Sequence, residues 1–417
     1  MVDVEANVTK HFQSGSSQRL AFADLLRGLA ALTVVLGHFT VLFLQRPKIV
    51  AALTMAEPGQ AVSFPAWIDR AYDIFNLASI GVAVFFLISG FVIPLSLEGS
   101  SVRSYLAKRF LRIFPTYWVA FVIGVAALFV SGAFWSKPVT YDLTDYFANT
   151  FLLADFFGRY DILSVMWTLQ IEIKFYLLAP IFYAALSRGS LRRALLWGAG
   201  MVVLYWFAAT SCGKGVEECW NHYRFSSRMV LREGMFISYM LIGSVLYAHY
   251  RRLITNGQAA FGVVFLFGSF LLSGPFSPFP DLASAYYLPF FWGLAIFLPC
   301  YLLRSRIGLA PPFRFLANIS YPLYVVHPLV GYVTMRLLIT AGLSYPPAFV
   351  AALLFVGAIA FAIHTYVEAP TIALGKRLAK TLAESAPIEG ARPYEEPKIL
   401  VPQTVAAVRE GDLTPPE

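Results

Sequence analysis

Charge is what this sequence has least of. Asp, Glu, Lys and Arg make up 13% of its 417 residues, against roughly 25% in soluble globular chains. With 58% of the residues hydrophobic, a soluble fold would leave far too much apolar surface facing water. Cysteine is scarce as well, with three in the chain, and no Cys/His spacing of the metal-binding kind occurs. Cys300 lies within an apolar run and reads as inert packing. Cys212 and Cys219 flank a polar loop assigned to the outside of the cytoplasm, where a disulfide and two free thiols both fit. The Walker A sequence, the G-x-G-x-x-G fingerprint and the G-x-S-x-G elbow are all missing. Residues 1–23 are polar and mixed, without the short apolar stretch and small-residue cleavage site of a signal peptide.

What is abundant is apolar and aromatic: 37 Phe, 22 Tyr and 8 Trp, rings that suit the headgroup level of a bilayer. A spanning helix needs about 20 mostly apolar residues. That rule predicts an all-α, polytopic bundle of ten transmembrane helices, near residues 24–45, 76–97, 114–133, 165–187, 194–210, 233–250, 259–274, 285–303, 317–339 and 346–367. Residues 147–157 are apolar but short and read as a re-entrant or interfacial piece. The net charge of +8 does not point to nucleic acid, because the basic residues sit in short clusters between apolar runs. Arg103, Lys108, Arg109 and Arg112, then Arg188, Arg192 and Arg193, then Arg251 and Arg252, then Arg304, Arg306 and Arg314 all fall on one side if the N-terminus is cytoplasmic. The positive-inside rule then puts both termini in the cytoplasm. The domain reading is an N-terminal cytoplasmic segment over 1–20, a membrane domain over 21–370 and a disordered cytoplasmic tail over 371–417, where prolines alternate with charged and small residues. No internal repeat is evident.

Charges inside a membrane span are costly and are usually functional. In the first span Arg27 and His38 are eleven residues apart. Eleven residues make about three helical turns, so both side chains share one face, about 16 Å apart along the axis. A histidine at that depth needs a partner, and imidazole is the usual general base near neutral pH. A hydrogen-bonded core histidine is the plainer alternative. Ser89-Gly90 in the second span offers a small, polar spot for close helix approach, and packing alone accounts for it equally. Arg109 and Arg112 share a helical face at the cytoplasmic surface, where two guanidiniums suit phosphates and also suit topology or lipid headgroups. Glu172 sits in the fourth span between Trp167 and Tyr176. It is placed to orient an imidazole, to pair with Lys174, or to face a polar vestibule. Ser320, Tyr324 and His327 fall at i, i+4 and i+7 and form one polar stripe, lining a cavity or touching another helix. His364 and Glu368 read as a structural pair at the interface.

Together these motifs resemble the acyltransferase-3 family of integral membrane acyltransferases over roughly residues 20–370. The family's basic-x10-His pattern falls on Arg27 and His38, its small-polar turn on Ser89-Gly90-Phe91, and its Arg-x-x-Arg on Arg109 and Arg112, followed by Pro115 and Tyr117. Its Trp-x-x-x-x-Glu-x-x-Phe-Tyr segment falls on Trp167, Glu172, Phe175 and Tyr176, and its Ser-Tyr-x-x-Tyr-x-x-His on Ser320, Tyr321, Tyr324 and His327. Thr168 stands where Ser is common in the family, and no hydrolase-like domain follows the tenth helix, as in the stand-alone form.

The resemblance implies O-acyl transfer, usually of acetyl, from an acyl-CoA cosubstrate such as acetyl-CoA, with no permanently bound cofactor and no metal. The acceptor would be a hydroxyl of an exopolysaccharide, a lipopolysaccharide or a lipid-linked glycan, in a multi-pass protein of the bacterial inner membrane surrounded by membrane lipids. His38 and Glu172 would be catalytic. Arg27, Arg109 and Arg112 would bind acyl-CoA. Ser89, Trp167, Tyr176, Ser320, Tyr324 and His327 would form the acceptor pocket. The rival reading is a proton-coupled transporter or flippase of a lipid-linked sugar, for which buried His, Glu and Arg serve equally well.

Overall fold

The structure is a computed structural model that describes residues 20–60, 62–212, 226–273 and 280–382. It is all-helical, with no strand among the described residues. In chain order the helices are α1 Ala21–Gln45, α2 Pro47–Thr54, α3 Ala66–Ile74, α4 Leu77–Leu97, α5 Val102–Phe134, α6 Leu143–Thr150 and α7 Met166–Leu186. They continue with α8 Arg192–Cys212, α9 Ser226–Tyr250, α10 Asn256–Ser273, α11 Pro280–Leu302, α12 Pro311–Thr340, α13 Tyr345–Ile363 and α14 Ala369–Leu382. Each of the ten segments predicted to span falls on one of these helices. Seven helical stretches among the described residues are long and apolar enough to cross a membrane. Their outer surface is apolar, with Val122, Phe129, Leu177, Val264 and Leu354 exposed. In lipid such side chains need no cover, whereas every backbone N–H and C=O must be satisfied within the helix.

Residue 371, where the predicted unstructured tail starts, lies within a helix. Residues 369–382 form α14, which packs along α5. Its Ala and Leu residues are good helix formers, and Gly375 fits against Leu111 of α5, so docking on α5 supports a segment whose charge had suggested a free chain. Cys219 lies outside the described residues. Cys300 is a half-buried free thiol.

Helix α1 sits in the middle of the bundle, against α4 on one side and α12 on the other. It is α-helical from Ala21 to Gly37, so the eleven-residue register from Arg27 to His38 holds. A π-helical stretch, His38–Leu42, starts at the histidine itself. Such bulges are rare and occur often at functional sites. A second π stretch, His364–Glu368, joins α13 to α14, and His364 Nδ1 lies 2.7 Å from Glu368 Oε2.

Helix α4 crosses α9 with backbone almost touching backbone. A Cβ added at Gly90 would lie 1.8 Å from the Met240 carbonyl oxygen, and one at Gly243 would lie 2.3 Å from the Leu87 carbonyl oxygen. Ser244 Oγ donates to the Gly90 carbonyl at 2.9 Å across this crossing. Small residues drive helix association in membranes because they permit such approach. Gly90 therefore sets the depth at which its neighbour Ser89 meets the rest of the bundle. A further anchor is ionic: Lys174 Nζ of α7 holds Asp155 and lies 2.6 Å from Glu233 Oε2 of α9, with both carboxylates buried.

Gly90→Ala should wedge α4 from α9 and cost about 1–3 kcal/mol, the usual range for overpacking. Gly268→Ala on α10, where the added methyl meets nothing within 4 Å, should be neutral or slightly stabilising. Thermal unfolding of the two variants in detergent checks the contrast. Equal melting temperatures would contradict the tight crossing.

Candidate active site

One internal cavity of about 90 Å³ gathers most of the residues singled out in the sequence. Arg27 of α1, Ser89 of α4, Arg109 and Arg112 of α5, Glu172 and Tyr176 of α7, and Ser320 and Tyr324 of α12 all line it. Thr168 and Tyr321 join them. Val82, Phe85, Phe86, Ile88 and Leu169 supply an apolar wall.

The arginine end is braced from several sides. Arg109 Nη2 donates to Ser96 Oγ, and its guanidinium lies over the rings of Tyr176 (5.2 Å) and Tyr105 (5.7 Å). Stacking of this kind restricts the side chain and leaves further N–H donors available, because a guanidinium carries five. Arg27 is held by Asp24 of its own helix at 2.8 Å. Three guanidiniums around one cavity make a strongly positive mouth suited to phosphate oxygens.

Deeper along the cavity Glu172 Oε1 accepts from Ser89 Oγ at 2.7 Å and from Tyr176 O–H at 2.6 Å. Lys174, the alternative partner, points to Asp155 and Glu233 instead, since two residues of helix turn a side chain to the opposite side. Of the three readings open to Glu172, the structure has it facing the polar cavity, with its bonds going to Ser89 and Tyr176 and none to an imidazole. The hydroxyls of Tyr324 and Thr168 are 2.6 Å apart. The polar stripe on α12 thus splits: Ser320 and Tyr324 face the cavity, while His327 turns toward α1. At the rim of α7, Asp161 Oδ2 accepts from the backbone N–H groups of Met166 (2.7 Å) and Trp167 (3.2 Å). Burial pushes its carboxyl up to about 6 against the pull of those N–H groups.

His38 meets His327, not the carboxylate. His38 Nδ1 lies 2.9 Å from His327 Nε2, a contact between residues 289 apart in sequence. The two rings meet edge to edge, with centroids 5.0 Å apart and planes inclined by 30°. His327 is fully buried, and His38 is partly accessible. The pair lies just beyond the cavity lining. Tyr324 links the two regions, because it lines the cavity and its ring is 5.9 Å from that of His327.

Two expectations shift. Trp167 does not line the cavity. It packs among Phe86, Phe236 and Tyr286 behind the wall, where a large apolar ring finds more contact than in a polar chamber. Ser89, Tyr176, Ser320 and Tyr324, expected on a separate acceptor side, share one chamber with the arginines. Sequence reasoning missed Tyr332, whose ring centroid is 6.4 Å from that of His38 and whose buried hydroxyl has no hydrogen-bond partner among the described residues. Its place five residues after His327 carries no sequence signal, because tyrosine is common throughout this chain.

A multi-pass helical membrane protein with a basic, hydroxyl-rich chamber beside a buried histidine pair is what the fold and site define. The chain belongs to the acyltransferase-3 family: the family model described as an acyltransferase domain matches residues 20–367. Among its curated relatives, nodulation protein 10 of Rhizobium leguminosarum bv. viciae is 35% identical over 124 residues, covering 24% of this chain and 32% of that protein. Acyltransferase MdmB of Streptomyces mycarofaciens is 30% identical over 31% of this chain and 34% of its own. The chain thus spans about a third of the length of these two relatives. The exopolysaccharide production protein ExoZ of Rhizobium meliloti (strain 1021) is 27% identical over a longer stretch, 72% of this chain and 92% of that protein. No solved structure matches the chain.

Thr168, where the family commonly has Ser, keeps the hydroxyl that meets Tyr324. Thr168→Ser should therefore leave stability within about 0.5 kcal/mol, as for a conservative change. Thr168→Val has the same shape without the hydroxyl and should cost about 0.5–1.5 kcal/mol, the net worth of one hydrogen bond, since it leaves Tyr324 O–H only the Val165 carbonyl at 3.3 Å. Melting temperatures of both variants in one detergent test this, and a Val variant as stable as wild type would show the bond to be idle.

Proposed function

We propose that the chain is an integral membrane O-acyltransferase that carries an acyl group, acetyl in the first instance, from cytoplasmic acyl-CoA to a hydroxyl of a surface polysaccharide or lipid-linked glycan. The observation that carries this reading is one cavity lined by Arg27, Arg109 and Arg112 together with Ser89, Glu172 and Tyr324, whose ring adjoins that of His327 in the histidine pair. Family membership and the names of ExoZ and MdmB support it. Ten spans with both termini in the cytoplasm of a bacterial cell, and a catalytic unit over residues 21–370, suit this assignment.

The guanidiniums would hold the phosphates of coenzyme A, leaving the pantetheine arm to run inward past Ser89 and Tyr324. At about 90 Å³ the cavity is well below the roughly 300–1,000 Å³ of ligand sites, so donor binding requires the helices to part. His38 takes the proton of the acceptor hydroxyl as its oxygen attacks the thioester carbonyl. The new C–O bond forms, the C–S bond breaks, and the proton passes on so that coenzyme A leaves as the free thiol. A general base at that position contributes about 10²–10⁴-fold. Transient acylation of His38 is the covalent variant of the same chemistry. Glu172, tied to Ser89 and Tyr176, acts by shaping the chamber between donor and base.

Protein reconstituted in liposomes with radiolabelled acetyl-CoA tests the reading. Wild type should release coenzyme A and label a glycan acceptor, and Arg109→Ala should raise the donor KM by about 10–100-fold, the worth of one charge-assisted hydrogen bond set. A protein that moves lipid-linked sugar across the bilayer without consuming acetyl-CoA would contradict it. Rapid quenching within one turnover separates the two routes, since label on the protein appears in the covalent one alone.

A further inference from the structure

The histidine pair assigns protons to individual nitrogens. His327 Nδ1 lies 2.8 Å from the Tyr324 carbonyl oxygen and 3.2 Å from that of Leu323. A carbonyl oxygen can only accept, so His327 Nδ1 must carry a hydrogen. The Tyr324 carbonyl is open to this bond for a reason written in the sequence. Residue 328 would normally satisfy it through an i→i−4 bond, but Pro328 has no N–H to give.

His327 is fully buried, and no carboxylate bonds to it among the described residues. A charged imidazolium there would be costly, which leaves the ring neutral and its Nε2 a bare acceptor. The 2.9 Å contact to His38 Nδ1 then needs its hydrogen from His38. That fixes His38 in the tautomer with Nδ1–H and a lone pair on Nε2. His38 Nε2 forms no hydrogen bond among the described residues.

We infer that His327 is a positioning residue that holds His38 in the one neutral tautomer able to accept a proton at Nε2, through a chain that runs from the Tyr324 carbonyl left open by Pro328. This rests on the reading of His38 as the base. When the acceptor hydroxyl gives its proton to Nε2, His38 becomes an imidazolium whose Nδ1–H bond to His327 strengthens, as charge-assisted bonds do. The base is thereby oriented by a neutral ring and backbone dipoles, the part that a carboxylate takes in serine-protease triads. The 30° angle between the two ring planes lets the bond run close to the plane of both rings, and the π stretch opens at His38 itself.

The direct test is ¹⁵N NMR of the full-length protein in liposomes, with labelled histidine and His38 assigned by the signal lost in His38→Ala. The expected spectrum has His38 protonated at Nδ1 and bare at Nε2. A hydrogen on His38 Nε2 in the neutral protein would overturn the inference. Kinetics supply the second arm. His327→Met removes the acceptor and should lower kcat by on the order of 10²-fold, the lower end of what a general base contributes, with the donor KM unchanged. His327→Gln keeps an oxygen acceptor and should recover part of that loss. Equal losses in both variants, with KM raised as well, would assign His327 to packing alone and overturn it too. Full activity in His38→Ala would instead remove His38 as the base while leaving the observed tautomer standing, so the two failures are distinguishable.

Discussion

A polar group inside a lipid-embedded bundle has only other protein groups to satisfy it, and the site follows from that constraint. Each buried polar side chain costs energy unless its bonds are made. Around the site most are made in short sets: Glu172 with Ser89 and Tyr176, Thr168 with Tyr324, Lys174 with Asp155 and Glu233, His38 with His327. Because each set joins at least two helices, the polar bonds also fix where the helices cross. Chemistry and architecture in this protein therefore rest on the same contacts.

Helix α1 is the element around which these sets are arranged. It carries Arg27 at the cavity and His38 three turns on, with α4 and α12 on its flanks. The Gly90–Gly243 crossing brings Ser89 to the depth of Glu172. On α12, the proline that deprives the Tyr324 carbonyl of its helical partner lets His327 take that carbonyl and present Nε2 to α1. A local irregularity in one helix is thus converted into the orientation of a side chain on another.

Much of this was legible in the sequence, and the limits have physical causes. The helices could be read because apolar runs are long enough to span lipid. The shared face of Arg27 and His38 and the stripe of Ser320, Tyr324 and His327 could be read because helical periodicity is local. The His38–His327 bond could not, since it joins residues 289 apart and depends on how α1 and α12 are turned. Glu172 looked like the natural partner of a histidine by chemistry, yet geometry gives it to Ser89 and Tyr176. Trp167 belongs to a family-like motif but serves packing, and a motif does not distinguish a ring that lines a chamber from one that backs it. Helix α14 was hidden by a tail of similar composition, because its stability comes from docking on α5.

The central claim is that donor recognition and proton transfer occupy different ends of one path. The measurement that tests it most directly takes acyl-CoA affinity and turnover on the same liposome preparation of His38→Ala. The account predicts an affinity within about twofold of wild type, a difference below about 0.5 kcal/mol, together with loss of transfer. Turnover near the wild-type rate, or donor binding lost along with transfer, would contradict it.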